Sequence, residues 1–213
     1  MLGAAAMVNQ VQSRLPVFFD TDCLACFLWT DNLLVLRDLF GGRIRIPEEV
    51  VIEIMRRRRR SPGVSRVAMA QTNLKQFIST GKAEKVFIFP GSKQHDEFNR
   101  LVSGEFGGKI LGRGESAAMV HARFEGGIVA SNNLSDVKPY CELHRLPTTT
   151  ATQIMVDAVS LDRLTFEKAD QIWRQMIEED RWMPYPDFQS AWDDEFLAKQ
   201  EIASTFDSTE ADD

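Results

Sequence analysis

Four acidic residues, Asp20, Glu53, Glu115 and Asp136, each stand where a short apolar run stops or a helix starts, in VFFDTD, IPEEVVIEIM, LGRGESAAMVHA and GIVASNNLSDV. That placement constrains the fold more than any other feature of the chain. An ionised carboxylate at the end of a buried strand must be compensated, because isolating it from water costs several kcal/mol or shifts its pKa until it is neutral. One arrangement accommodates several at once: a parallel sheet whose strands bring their carboxyl ends to a common edge, where such sheets gather their ligands. Carboxylates collected there invite a hard divalent cation, Mg²⁺ or Mn²⁺, and Mg²⁺ uses only one or two of them beside waters and phosphate oxygens. The four acids therefore read as a site for metal-dependent phosphate chemistry.

Strand-like and helical runs alternate along the chain, the pattern of an α/β fold with a parallel sheet. Val17 to Phe19 is a short apolar strand closed by Asp20, and residues 23–29 and 32–40 read as helices, the second stopped by Gly41 and Gly42. A brief strand at 43–46 precedes a helix opened by Pro47 at its favoured first-turn position, on which Val50, Glu53 and Ile54 share the inward face. Residues 64–79 predict a longer helix, 85–89 a third strand, 94–102 another helix and 127–130 a fourth strand. Gly112 and Gly114 fit a G-x-G-x-x-A pattern, but no proper strand precedes them and Glu115 would face the pyrophosphate, so a dinucleotide site is rejected. Instead Glu115, Ala118, Met119 and Ala122 form one stripe of a helix whose small residues let it lie close to the sheet. Apolar stripes from Ile154 to Leu161 and from Phe166 to Ile177 read as core helices, the second capped by Thr165.

At 213 residues with 44% hydrophobic side chains, the chain suits one domain with an appendage. No apolar run approaches the roughly 20 residues of a membrane span. The first fourteen residues lack a basic start before their small apolar patch, so we expect a flexible terminus over 1–14, no secretory signal, no membrane partner and a cytoplasmic protein. Three cysteines do not make a disulfide framework. The C-x-x-C of Cys23 and Cys26 is surrounded by Leu24, Phe27 and Leu28 and reads as buried core thiols; a thiol oxidoreductase, which needs a low-pKa exposed sulfur, is the competing reading. His95, His121 and His144 are scattered, with His121 on the opposite side of its helix from Glu115, so no histidine base is assigned.

Charge is unevenly spread. From Glu178 onward twelve acids stand against Arg181 and Lys199, a net of −10, which leaves +4 for the rest of a chain whose total is −6. A mildly basic body with an acidic tail suits a nucleic-acid ligand. The domain is expected over 15–180 and the tail over 181–213, partly disordered, with Trp182, Tyr185, Phe188 and Trp192 either packing back on the domain or meeting a partner. The run Arg56, Arg57, Arg58, Arg59 and Arg60 either complements a helix C-terminus or, with Arg113, forms a nucleic-acid-binding clamp on phosphates.

Taken together these motifs resemble the PIN-domain nucleases, most closely their toxin-like, VapC-like members. The resemblance runs from about Val17 to Thr150 and more weakly to about Asp180. It rests on an Asp ending the first strand (Asp20), an inward Glu on a proline-led helix (Glu53), an acid opening an Ala-rich helix (Glu115), and a strand followed by a Ser and then acids (SNNLSDV). The resemblance implies a three-layer α/β/α domain with a central parallel sheet of four or five strands. It also implies an Mg²⁺- or Mn²⁺-dependent ribonuclease that cuts single-stranded or structured RNA to leave a 3′ hydroxyl and a 5′ phosphate. Asp20, Glu115 and Asp136 would be metal ligands and catalytic, Glu53 a further catalytic acid, and Ser131 and Asn133 supporting residues of the loop. The partners implied are an antitoxin protein, carrying a helix-turn-helix domain in some systems, and a second copy in a homodimer. One departure matters: where the family commonly reads Thr-Asn-Asp, this chain has Ser131, Asn132 and Asn133, and the nearest acid is Asp136. Either Asp136 supplies the missing carboxylate, or metal binding is weakened and the chain is a catalytically impaired PIN-like nucleic-acid-binding or regulatory protein.

Overall fold

The computed structural model describes residues 14–56, 66–179, 181 and 183–197. Five parallel strands form one sheet: β1 (Val17–Phe19), β2 (Ile44–Pro47), β3 (Glu84–Val86), β4 (Ile128–Ala130) and β5 (Thr148–Thr149), in the order β3-β2-β1-β4-β5. Helices cover both faces, so the fold is the three-layer α/β/α arrangement expected. The three central strands, β2, β1 and β4, hold at three or four residues because they are largely buried between the helical layers, as the interior of a parallel sheet requires, while the edge strands β3 and β5 are more exposed.

The period-two alternation of side chains divides the core. Val17 and Phe19 of β1, Ile44 and Ile46 of β2, and Ile128 and Ala130 of β4 point to one face. There they meet α1 (Thr21–Trp29), α2 (Leu33–Phe40), α3 (Glu48–Arg56), α4 (Arg66–Ser79), α8 (Ala151–Ser160) and α9 (Phe166–Glu178). Phe18 and Val129 point the other way, onto α5 (Lys93–Val102), α6 (Arg113–Glu125) and α7 (Leu134–His144). In α6 every residue from Ser116 to Ala122 is buried, which its small side chains permit.

Several element boundaries differ from the sequence expectation, each for a physical reason. Pro47 closes β2 opposite Val86 rather than opening the helix, which starts at Glu48; without an N–H, proline fits a strand end as readily as a first turn. The third strand spans Glu84–Val86 rather than 85–89, because β3 is an edge and the chain beyond it leaves Phe89 68% exposed. The fifth strand is two threonines on the opposite edge, too short and polar to stand out as a pattern. Residues 188–197 are helical, and Phe188 is fully buried against Phe166 and Trp173, with ring centroids 5.1 and 5.7 Å away. Tyr185, Phe188 and Trp192, grouped above with the acidic tail, thus pack on the domain, while Trp182 lies outside the described residues.

Gly127 shows how closely the layers meet. A Cβ there would overlap the Phe18 ring and stand 2.8 Å from the Pro16 carbonyl oxygen, a backbone atom that cannot turn aside. Gly127→Ala is expected to cost about 3 kcal/mol, at the upper end of overpacking effects, read as a lower midpoint in urea unfolding with an unchanged slope.

Candidate active site

The strand order reverses between β1 and β4, and that switch point is where an open parallel sheet leaves a crevice at its carboxyl edge. Asp20 and Ser131 are the residues that follow those two strands. The Asp20 N–H donates to the Ala130 carbonyl at 2.9 Å and the Ser131 N–H to that of Thr149, also at 2.9 Å, so the ladder carries both residues into the crevice before the chain turns.

Asp20 is 1% exposed. Its Oδ1 accepts the Cys23 N–H at 2.7 Å and so caps α1, while Oδ2 is buried with no hydrogen-bond partner. Burial pushes the Asp20 carboxyl up to about 7; the adjacent Ser131 hydroxyl and the Cys23 N–H pull the other way, without closing a bond to Oδ2. The negative charges of Asp22 and Glu115 raise it further.

Glu115 lies in the first turn of α6, where the helix dipole favours an acid. Its Oε1 accepts the Asn133 Nδ2–H at 2.8 Å and its Oε2 the Gly112 N–H at 3.3 Å. Burial nevertheless raises its pKa, helped by the charges of Asp136 and Asp22 and opposed by Asn133 and Gly112. Ser131, fully buried, accepts the Asn133 N–H at 3.1 Å and fixes the loop that presents this amide.

Glu53 is committed within the protein. Its Oε1 accepts the Gly114 N–H at 3.0 Å and its Oε2 the Thr21 hydroxyl, so it ties α3 to the starts of α6 and α1. Asp136 forms an ion pair with Lys109 and accepts the Ser135 hydroxyl at 3.1 Å; Lys109 holds its carboxyl below the usual carboxylate range. Asp136 is near enough to act on Glu115 electrostatically, but its charge is already matched. Among the described residues no group of three or more His, Cys, Asp and Glu side chains is assembled to hold a metal ion. Asp20 Oδ2 and Glu115 do suit an ion of the Mg²⁺ type, which takes one or two carboxylates and completes its shell with water and phosphate oxygens.

The arginine run falls mainly on Arg57, Arg58, Arg59 and Arg60, which lie outside the described residues. Arg56 ends α3 exposed, and Arg113 is exposed with its guanidinium 4.8 Å from the centre of the Phe98 ring. Cys23 and Cys26 are buried free thiols, with Cys26 pushed up to about 12 and Cys23 well above its ordinary value, chiefly by burial. A redox thiol needs the opposite environment. His121 is stacked on Phe18 and bonded through Nδ1 to Glu125 at 2.6 Å, within the core.

Three residues of the site escaped the sequence reading. Asp22, in the first turn of α1, acts on both Asp20 and Glu115, and the second acid of VFFDTD was the available signal. Asn132 binds the β4–α7 loop to α8: its Oδ1 accepts the Ala151 N–H at 2.8 Å and its Nδ2 donates to Cys26 Sγ at 3.2 Å. Lys109 carries no sequence pattern that would pair it with Asp136. No protein-family model matches the chain, and no curated protein is significantly similar to it.

Proposed function

We propose that this chain is a metal-dependent endoribonuclease of the PIN-domain type, hydrolysing phosphodiester bonds of RNA at the crevice between β1 and β4. One observation carries the reading: a fully buried aspartate at the switch point of a parallel sheet keeps an oxygen with no partner, with a second raised carboxylate beside it. Nothing in the packing requires a carboxylate there, since Asn would cap α1 as well. Mg²⁺ or Mn²⁺, when bound, supplies Lewis-acid stabilisation of phosphate charge and activation of water. Asp20 and Glu115 are the residues that would hold it, and Asp22 adds negative charge to the same crevice. Asn133 and the Gly112 N–H orient Glu115, while Glu53 positions the helix start that carries it. A toxin role, with an antitoxin and a second copy as partners, rests on the family resemblance and is tested by growth arrest on isolated expression and relief by a neighbouring small reading frame.

The experiment is cleavage of a mixed RNA pool with Mg²⁺, Mn²⁺ or EDTA, beside Glu115→Gln. Cleavage is expected with either metal, none in EDTA, and a loss of at least about 10²-fold in the variant, as for disrupted metal sites. A second reading has its own support: Asn133, where the family commonly has an acid, donates to Glu115 instead of adding charge. Metal-independent RNA binding without cleavage would make the chain a PIN-like binding protein.

A further inference from the structure

The loop between α5 and α6, residues 103–112, touches both of the acids that open α6 and α7. Gly112 gives its N–H to Glu115 at 3.3 Å, and three residues earlier Lys109 closes an ion pair on Asp136. Gly107 and Gly108, immediately before the lysine, both have left-handed φ, 63° and 73°, a turn that side chains would strain. Just beyond the lysine the loop is anchored: the Leu111 N–H donates to the Leu101 carbonyl at 3.4 Å, and the Leu111 side chain is buried. The helix dipole accounts for an acid in the first turn of α7, but not for a lysine brought to it from 27 residues upstream.

Asp136 and Glu115 belong to one network. The Ser135 hydroxyl lies 2.9 Å from Asn133 Oδ1 and 3.1 Å from Asp136 Oδ1, and the Asn133 Nδ2–H donates to Glu115 at 2.8 Å. Burial, and after it the Asp136 charge, raises the Glu115 carboxyl. Asp136 is therefore within electrostatic reach of the carboxylate that would share a cation with Asp20 Oδ2, the fully buried oxygen without a partner. Lys109 cancels that reach with an equal and opposite charge. The Lys109 side chain is 59% exposed and that of Asp136 14%, so the lysine can turn into water while the aspartate keeps its bond to Ser135. A pair this exposed on one side contributes little to folding, and parting it costs the fold little.

We propose that the Lys109–Asp136 pair is an autoinhibitory charge lock on the carboxylate crevice: Lys109, while engaged, withholds the Asp136 charge from a divalent cation held by Asp20 and Glu115, and turning Lys109 away restores it. The lock rests on the metal-binding part of the reading above and not on the substrate. The α5–α6 loop thereby sets the cation affinity of a site whose ligands lie on other elements.

Calorimetric titration of the full chain with Mn²⁺ at low salt and without RNA tests this in the wild type, Lys109→Met, Asp136→Asn and the double variant. Lys109→Met is expected to bind Mn²⁺ about tenfold more tightly, because a positive charge leaves the neighbourhood of a divalent cation, and Asp136→Asn about tenfold more weakly. The double variant should return to within about threefold of the wild type, since both charges leave together. High salt should shrink both shifts. Lys168→Met, which removes a lysine from α9, should leave the affinity unchanged. Lys109→Met binding Mn²⁺ as the wild type does, or a double variant as tight as Lys109→Met, would overturn the lock; loss of binding in Asp20→Asn beside that result leaves the metal reading standing without it. Mn²⁺ bound by none of these proteins overturns both. The expected affinities with no RNA cleavage in any protein keep the lock and remove the ribonuclease reading.

Discussion

Asp20→Asn is expected to raise the melting temperature of this protein at about pH 8 and to abolish the RNA cleavage proposed for it. A folded-state value of about 7, against an ordinary 3.8, means that the fold prefers the neutral carboxyl. The folded chain then holds more protons than the unfolded chain between those values, so stability is greatest below about pH 4 and is lost as pH rises to about 7. The loss is on the order of 4 kcal/mol, from about 1.4 kcal/mol per pH unit. Asparagine supplies a neutral group that still accepts the Cys23 N–H, so the variant escapes this loss. At 2–4 °C per kcal/mol for a chain of this size, its melting temperature should exceed that of the wild type by about 8–16 °C at pH 8, with the gap closing near pH 4. Saturating Mg²⁺ should stabilise the wild type, more at pH 8 than at pH 6 because the ion competes with a proton, and should not stabilise the variant. Cleavage should rise with pH through a midpoint of about 7 and level off about one unit higher. A variant less stable than the wild type at pH 8 would mean that the Asp20 charge is compensated inside the fold, and the metal reading would lose its main support.

The sequence displayed the positions of the acids but not their occupations. That Asp20 ends β1 was legible from VFFD, since an apolar run closed by an acid is a local pattern. The inward faces of α3 and α6 were legible as well, because 3.6-residue periodicity places Glu53 with Val50 and Ile54, and Glu115 with Ala118 and Met119. What a carboxylate touches across the fold has no such signature. Glu53 meets Gly114 and Thr21, 61 and 32 residues away, and Asp136 meets Lys109, 27 residues away. These partnerships separate the acids into two that are charged at a cost and two whose charge is already used. The same limit applies to the aromatics after α9: the sequence left open whether they pack back on the domain or meet a partner, and for Phe188 and Trp192 it is their contact with Phe166 that decides.

Gly114→Ala should abolish the proposed RNA cleavage through position rather than chemistry. A Cβ at residue 114 would stand 2.5 Å from Thr21 Oγ1, 2.9 Å from Glu53 Oε2 and 3.2 Å from Val50 Cγ2. All three are side-chain tips, so the helix backbone can stay while the tips give way, and the expected cost is about 1–3 kcal/mol. The atoms that move first are the two oxygens that clamp the starts of α1 and α6. Asp20 caps the first of those helices and Glu115 sits one residue beyond the clamp on the second, so their separation follows its state. A misplacement of about 1 Å at a reacting centre can cost about 10²-fold in rate, and a loss of that order is expected here. Glu53→Gln supplies the contrast: it keeps an oxygen for the Gly114 N–H and an amide for the Thr21 hydroxyl, so a purely positioning role predicts a loss of less than about tenfold. If Glu53→Gln is as inactive as Gly114→Ala, the charge of Glu53 takes part in the reaction. If Gly114→Ala melts and cleaves as the wild type does, the clamp between α3 and α6 does not set the site.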